Sequence, residues 1–242
     1  MASSSASRPR IQAAFFDFMG TCLDWCSAVT AGLPSTIPET ERRDFALQWR
    51  VSYFRENEAR LKVGLPTEDI DQTLARTLDR MLESDEYASL ASHFSPTAKE
   101  KVIASWHEQP AWPDVAPALQ QLRDLGLEVF VHANGTTRLQ LDLIRSSGLQ
   151  FDLLMSSQML GQIKPAPEPY LKGAGLVKRK PEEVVMVAAH VSDVRGARAV
   201  GMRAIYIKRS TDDIHEDLSQ VDTEFDVALD GMDGLAEAVK IL

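Results

Sequence analysis

Cysteine is nearly absent: Cys22 and Cys26 are the only two in 242 residues. A disulfide framework of the kind that staples small secreted domains needs more, and a zinc site needs further ligands at matching spacing. Both are read as reduced thiols in or near the core. Positive charge is also scarce, with 26 Lys and Arg against 35 Asp and Glu, for a net charge of -9. That excludes a nucleic-acid footprint, which needs clustered basic surface, and leaves room for a local positive pocket that holds an anion. No apolar run is long enough to cross a bilayer, and residues 1–10, rich in Ser and Ala, lack the apolar segment of a secretory signal. The expectation is a flexible tail at 1–10 on a soluble, cytoplasmic protein that engages neither membrane nor nucleic acid.

The most informative shortage is local. An apolar run at 11–16 ends on Asp17, and Phe18, Met19, Gly20 and Thr21 follow at once. This is the layout of a buried strand delivering a reactive group to the edge of a sheet. Two residues past Asp17, where a second carboxylate would serve as its acid partner, stands Met19. A lone carboxylate points to a nucleophile that attacks carbon rather than phosphorus.

Four further apolar runs, at 127–133, 151–155, 184–189 and 203–207, have the length and β-branched content of buried strands. Helical periodicity lies between them at 115–125, 138–147 and 194–200, each ending on a glycine (Gly126, Gly148, Gly201) as helices commonly do. The alternation predicts an α/β fold with a Rossmann-like parallel sheet. Residues 28–108 break the rhythm. They read as helices at 39–61, 67–82 and 95–106, with Pro34, Pro38, Pro66 and Pro96 near their starts. The expected organisation is a core of 11–27 and 109–242 with an inserted helical cap at 28–108, returned to the sheet through Pro110, Ala111, Trp112 and Pro113.

Ligands of a parallel sheet bind beyond the carboxyl ends of its strands, and unusual residues collect there. Asp17 follows the first strand, His132, Ala133, Asn134 and Gly135 end the second, Lys164 and Pro165 follow the third, and His190, Val191, Ser192 and Asp193 end the fourth. The order Asp-x-x-Gly-Thr, strand-Asn-Gly, Lys-Pro-x-Pro, strand-x-x-x-Asp resembles the haloacid dehalogenase superfamily. The missing second aspartate and the pair Trp49-Arg50 resemble its 2-haloacid dehalogenase branch, and the set of Asp, Asn, Lys, Tyr, His and Asp also resembles the cis-epoxysuccinate hydrolases.

The resemblance implies an aspartyl ester formed on Asp17, with Lys164 keeping that carboxylate ionised and Thr21 and Asn134 donating hydrogen bonds to it or to the ester oxygen. Asp193 would orient or activate the water that hydrolyses the ester. His190, whose ordinary pKa lies near neutrality, acts as general base or sits as a satisfied core histidine. Tyr170 falls six residues after Lys164, where the resembling dehalogenases place a tyrosine. Substrate-facing candidates are Met19, Trp49, Arg50, Tyr53 and His132. Arg50 is the expected clamp for a substrate carboxylate or leaving anion, set between Tyr53 and Phe54 on one helix. Asp193 also has the place of a helix cap.

Phosphatase chemistry on this architecture needs Mg²⁺ and an acid for the leaving oxygen. The positions concerned hold Met19, Ala133 and Ala189, so neither metal nor cofactor is expected. Ala133 and Ala188 also replace the small hydroxyl residues with which the haloacid enzymes hold a carboxylate. Halide displacement and epoxide opening therefore both stay open. The expected partner is a small anionic organic substrate, and the resemblance implies a homodimer.

Overall fold

The sequence runs read as strands form one parallel sheet in the computed structural model, which describes residues 9–66 and 68–242. Its strands are β1 (Ala13–Phe16), β2 (Glu128–Ala133), β3 (Leu153–Ser156), β4 (Val184–Ala188), β5 (Arg203–Ile207) and β6 (Val227–Leu229), ordered β3-β2-β1-β4-β5-β6. Residues 1–8 of the tail expected at 1–10 lie outside the described residues, while Arg10 donates to the Leu125 carbonyl at 3.1 Å.

Winding runs outward from β1 through β2 to β3, then from β4 through β5 to β6, so the direction reverses between β1 and β4. A crevice opens at such a switch point, beyond the strand ends. Register places Phe15 beside both Phe130 and Met186, and Met186 beside Ala204, in one row on one face. These residues join Tyr170, Met155 and Tyr206 in a buried cluster, and Phe15 meets Phe130 edge to face at 5.7 Å. Strands β1 and β4 are apolar and buried along their whole length, as expected for parallel strands covered on both faces.

Two compact units are distinguished. The first comprises Met1–Leu23, Ala111–Thr137 and Leu149–Leu242, of which the described residues hold the whole sheet; the second comprises Asp24–Pro110 and Arg138–Gly148. The second contains helices α1 (Trp25–Gly32), α2 (Glu39–Lys62), α3 (Ile70–Glu83), α4 (Pro96–Ala104) and nearly all of α6 (Thr137–Ser147), while α5 (Val115–Asp124) belongs to the first. Asp24 and Asp69 cap α1 and α3 through their side chains, and Ser95 caps α4 with Pro96 in its first turn. The helix expected from residue 67 begins at Ile70, and residue 67 itself lies outside the described residues.

The helical unit is built on tryptophan. Trp25 stacks on Trp106 with centroids 5.4 Å apart, and Trp49 meets Trp106 edge-on at the same distance. All three are fully buried.

The remaining helices, α7 (Ser157–Leu160), α8 (Pro167–Leu176), α9 (Val191–Ala199), α10 (Val221–Glu224) and α11 (Leu235–Lys240), lie in the first unit. Helix α9 begins three residues earlier than its periodicity indicates, because Asp213 accepts the Val191 N–H at 2.6 Å and extends the helix backwards. Asp193 therefore sits inside the first turn and is not the cap.

Candidate active site

Backbone pairing carries Asp17 to the end of β1, where its N–H donates to the Val187 carbonyl of β4 at 3.1 Å. The turn after it is held by two carbonyls. Trp112 Nε1 donates to Gly20 O at 2.9 Å, and Arg209 Nε donates to Thr21 O at 3.2 Å. Arg209 is itself fixed by a two-pronged bond to Asp114, at 2.8 and 2.9 Å, the geometry in which guanidinium and carboxylate fit best.

Lys164 reaches this strand end from the loop after β3. Its Nζ donates to Asp17 Oδ1 at 3.1 Å, to the His132 carbonyl at 2.6 Å and to Asp193 Oδ2. Asn134 holds the loop: its Nδ2 donates to Lys164 O at 3.0 Å, and Lys164 N donates to Asn134 Oδ1 at 2.8 Å. Both ends of the Asn134 amide thus serve the Lys164 backbone, and neither bond goes to Asp17 as the sequence indicated.

Asp17, Lys164 and Asp193 are 8%, 6% and 4% exposed, so their charges are settled by one another more than by water. Burial alone would raise the Asp17 carboxyl, but Lys164, His190 and the Thr21 hydroxyl together hold it far below the ordinary carboxylate range. Burial likewise opposes the Lys164 ammonium, which Asp17 and Asp193 keep charged and above its usual value. For Asp193, burial wins over Lys164 and its carboxyl is raised.

His190 lies between two carboxylates. Its Nδ1 is 3.2 Å from Asp17 Oδ2 and its Nε2 is 3.2 Å from Asp212 Oδ1. A carboxylate beside each ring nitrogen favours the imidazolium electrostatically. Burial pulls the ring down, yet the two aspartates raise it to about 10. At neutral pH the ring is protonated.

Thr21 bridges strands β1 and β4. Its hydroxyl donates to Asp17 Oδ2 at 2.8 Å and accepts from the Ala189 N–H at 2.9 Å. With Thr21 and His190 both on Oδ2, and Lys164 alone on Oδ1, a lone pair of Oδ1 is left for attack. Met19, beside this turn, is partly exposed and pairs with Leu23 in an isolated bridge.

Two further sequence candidates stand behind the site. Tyr170, fully buried on α8, donates its phenol hydrogen to Asp193 Oδ1 at 2.7 Å. Gly196 permits that approach, since a Cβ there would lie 2.7 Å from the Tyr170 oxygen. His132 stacks between Phe15 and Tyr170, and its Nε2 donates to Pro169 O at 3.0 Å. The two-residue alternation of β2 puts it on the packed face with Phe130, so it contributes its backbone carbonyl to Lys164 and its ring to the core. Burial and the nearby Lys164 ammonium lower it to about 3, so it is neutral.

The helical unit holds the other candidates. Trp49 is a core residue whose Nε1 donates to Thr77 Oγ1 at 3.0 Å and Leu74 O at 3.2 Å, so its indole is spent inside this unit rather than on a ligand. The Arg50 guanidinium lies over Phe54 at 4.5 Å, Trp25 at 5.2 Å, Trp106 at 5.6 Å and Tyr53 at 6.0 Å. Cation–π attraction to four rings fixes its place within this unit.

Asp212, Arg209 and Asp114 were not legible as site residues. One signal was available for Asp212: it lies in the loop beyond the carboxyl end of β5, the region where the other site residues collect. Cys22 is buried with its thiol on the Asp17 carbonyl at 3.3 Å, and burial and the Asp17 charge push that thiol well up. Cys26, a buried thiol, lies 3.6 Å from an Arg43 nitrogen.

A parallel six-stranded sheet flanked by helices, with a buried aspartate at its switch point, defines a Rossmann-like α/β fold of hydrolase type. The chain belongs to the haloacid dehalogenase-like hydrolase family, whose profile matches residues 11–201. It is 26% identical over 206 residues to a haloacetate dehalogenase of Moraxella sp. (strain B), covering 83% of this chain and 87% of that one. It is 28% identical over 171 residues to a glyceraldehyde 3-phosphate phosphatase of Methanopyrus kandleri, covering 62% of this chain and 72% of that one. Its fold is similar to that of the L-2-haloacid dehalogenase of Xanthobacter autotrophicus with chloropropionic acid covalently bound, with a TM-score of 0.77, 20% identity, and 95% and 98% of the two chains covered.

Proposed function

We propose that this enzyme hydrolyses a small carboxylate-bearing substrate by displacement at an sp³ carbon, through an ester on Asp17 and without a metal. The observation that carries the reading is the state of Asp17: buried, ionised by Lys164 and without an acid two residues on. Similarity to a haloacetate dehalogenase favours halide as the leaving group. Asp17 Oδ1 attacks the carbon, and the carbon–halogen bond breaks with its electron pair going to the halide. Water then adds to Asp17 Cγ and gives a proton to Asp193, whose raised carboxyl makes it a stronger base than an ordinary aspartate. Cleavage of the acyl–oxygen bond restores the Asp17 carboxylate as the second water proton passes to the leaving alkoxide, which departs as the hydroxy acid, and Asp193 gives its proton to solvent.

Magnesium does not suit this donor set. A hard cation needs oxygen lone pairs turned towards it. Around Asp17 the neighbours are N–H and O–H donors from Lys164, His190 and Thr21, and Asp193 is taken by Lys164 and Tyr170. Met19 and Ala189 add no oxygen side chain. The phosphatase reading suggested by the Methanopyrus relative is therefore not adopted.

A second reading is favoured by His190. Halide needs no proton on leaving, whereas the oxygen of an opening epoxide becomes an alkoxide and is helped by an acid. An imidazolium bonded to the nucleophile's own carboxylate is such an acid. Turnover of matched haloacids and epoxyacids in H₂¹⁸O tests both. Halide release supports the first, diol formation supports the second, and heavy oxygen in Asp17 after several turnovers supports the shared ester. Turnover that never labels Asp17 would sink both.

A further inference from the structure

The loop after β5 places Thr211, Asp212 and Asp213 against the histidine end of the site. Asp212 is 5% exposed, and its Oδ2 accepts from the Thr211 hydroxyl at 2.8 Å while Oδ1 faces His190 Nε2 at 3.2 Å. Gly20 is shaped around it. A Cβ at Gly20 would lie 2.3 Å from Asp212 Oδ1, and Gly20 also has a φ of +90°. Asp213 fixes the first turn of α9 through the Val191 N–H. The Gly-Thr turn that presents Asp17 and the loop that presents Asp212 thus interlock with His190 between their carboxylates.

We infer that Asp212 is a positioning residue of this reaction: it holds His190 charged, with Nδ1–H turned on Asp17, so that the imidazolium protonates the oxygen of an opening epoxide and later recovers a proton from the hydrolytic water. This inference rests on the epoxide reading. In the first step Asp17 Oδ1 bonds to the ring carbon, the carbon–oxygen bond breaks, and its electron pair takes the proton from His190 Nδ1. His190 is then neutral. In the second step water adds to Asp17 Cγ and gives a proton to His190. The tetrahedral adduct collapses to the Asp17 carboxylate, its acyl–oxygen bond breaks, and the second proton of the water passes to the leaving hydroxyl. One water is consumed, a diol forms, and the site regains both its charges. Displacement of halide leaves one proton over, which a ring already charged cannot take.

The groups facing His190 are Asp17 from β1, Asp212 and Asp213 from the loop after β5, Lys164 across Asp17, and Asp193 on its own helix. Asp212 is the one that makes an ion-pair contact with the ring at Nε2, the nitrogen away from the nucleophile. The raised pKa of His190 agrees with that position.

The test is a titration of the imidazole ¹⁵N resonances of the full chain, with His190 assigned by its loss in His190→Gln; there are five histidines. In the wild type His190 stays protonated through neutral pH. In Asp212→Asn, which is nearly isosteric, its pKa falls by about one unit or more, as removal of one of two adjacent carboxylates dictates. With an epoxyacid, kcat falls on the order of 10- to 100-fold with KM little changed, as for loss of general acid assistance. The alkaline limb of the rate profile moves acidward with the titration. Should Asp212→Asn not fold, Asp212→Ser removes the same charge with a smaller side chain and moves the titration in the same direction. An unmoved His190 titration, or epoxyacid kinetics unchanged in the variant, overturns the inference. A wild type that keeps a charged, Asp212-dependent His190 but opens no epoxyacid removes the epoxide reading and the protonation step, while the positioning of His190 by Asp212 stands.

Discussion

Lys164 Nζ donates to Asp17 Oδ1 at 3.1 Å across 147 residues of chain. The pair is buried, and Lys164 also serves Asp193, so one ammonium stabilises two carboxylates. Lys164→Met takes that ammonium from both and leaves His190 as the cation beside Asp17. We expect a loss of stability of roughly 3–5 kcal/mol, the usual cost of breaking a buried pair, measured by urea denaturation. Any activity that survives will have its acid limb moved to higher pH, because Asp17 then protonates more readily.

Asp17→Asn should remove turnover, by on the order of 10⁴-fold or more, as loss of a nucleophile does. The fold should persist, which circular dichroism and the melting temperature check together. An active, correctly folded Asn variant would take the nucleophile's role from Asp17.

Tyr170→Phe removes the phenol that bonds Asp193 Oδ1. A buried bond to a charged acceptor contributes roughly 1.5–3 kcal/mol. Its loss leaves Lys164 as the remaining named partner of Asp193, and raises the Asp193 carboxyl further. Denaturation midpoints and the decay of a trapped ester, followed by intact mass, read the two effects separately.

Trp49→Phe keeps an aromatic ring but deletes the bonds to Thr77 and Leu74. It should cost about 1–3 kcal/mol for the buried acceptors left unpaired. Trp106→Ala opens the stacked cluster and should cost about 3–5 kcal/mol. Calorimetry of both variants against wild type measures the difference.

Stability should fall on acidification before the carboxylates titrate. His132 is neutral in the fold down to about 3, whereas an unfolded histidine takes a proton near 6.5. Between those values the unfolded chain binds more protons, so lower pH favours unfolding. The slope is on the order of 1.4 kcal/mol per pH unit, and His132→Phe should flatten it. His190 acts oppositely. Raised to about 10, it contributes stability in full below about 6.5 and loses it as pH rises towards 10. Melting temperatures from pH 4 to 10 check both slopes.

Activity should survive prolonged dialysis against EDTA, with no gain on adding Mg²⁺. Loss on chelation with recovery on Mg²⁺ would contradict the metal-free mechanism.

Much of the first unit was legible along the chain. The runs ending at Asp17, Ala133 and Ile207 are strands because parallel strands buried on both faces are continuously apolar. Strand β6 escaped because three residues carry no period. Helix α8 escaped because its two prolines and two glycines hide it; Pro167 lies in its first turn, where proline is tolerated. Trp49 was legible as part of a pair with Arg50, but a helix position does not say whether an indole faces a ligand or a core.

The amino-acid sequence by itself placed Asp17, His190 and Asp193 at the ends of apolar runs and Lys164 in the loop after the third, while Tyr170 was marked by resemblance alone. Tertiary structure alone decided what those groups are chemically. His190 is held protonated because Asp17 and, 22 residues along the chain, Asp212 each stand 3.2 Å from its ring. Asn134 holds a backbone loop, and His132 is neutral packing. Protonation and hydrogen bonding follow distance through space and exclusion of water, and neither quantity is written in the spacing of residues along a chain.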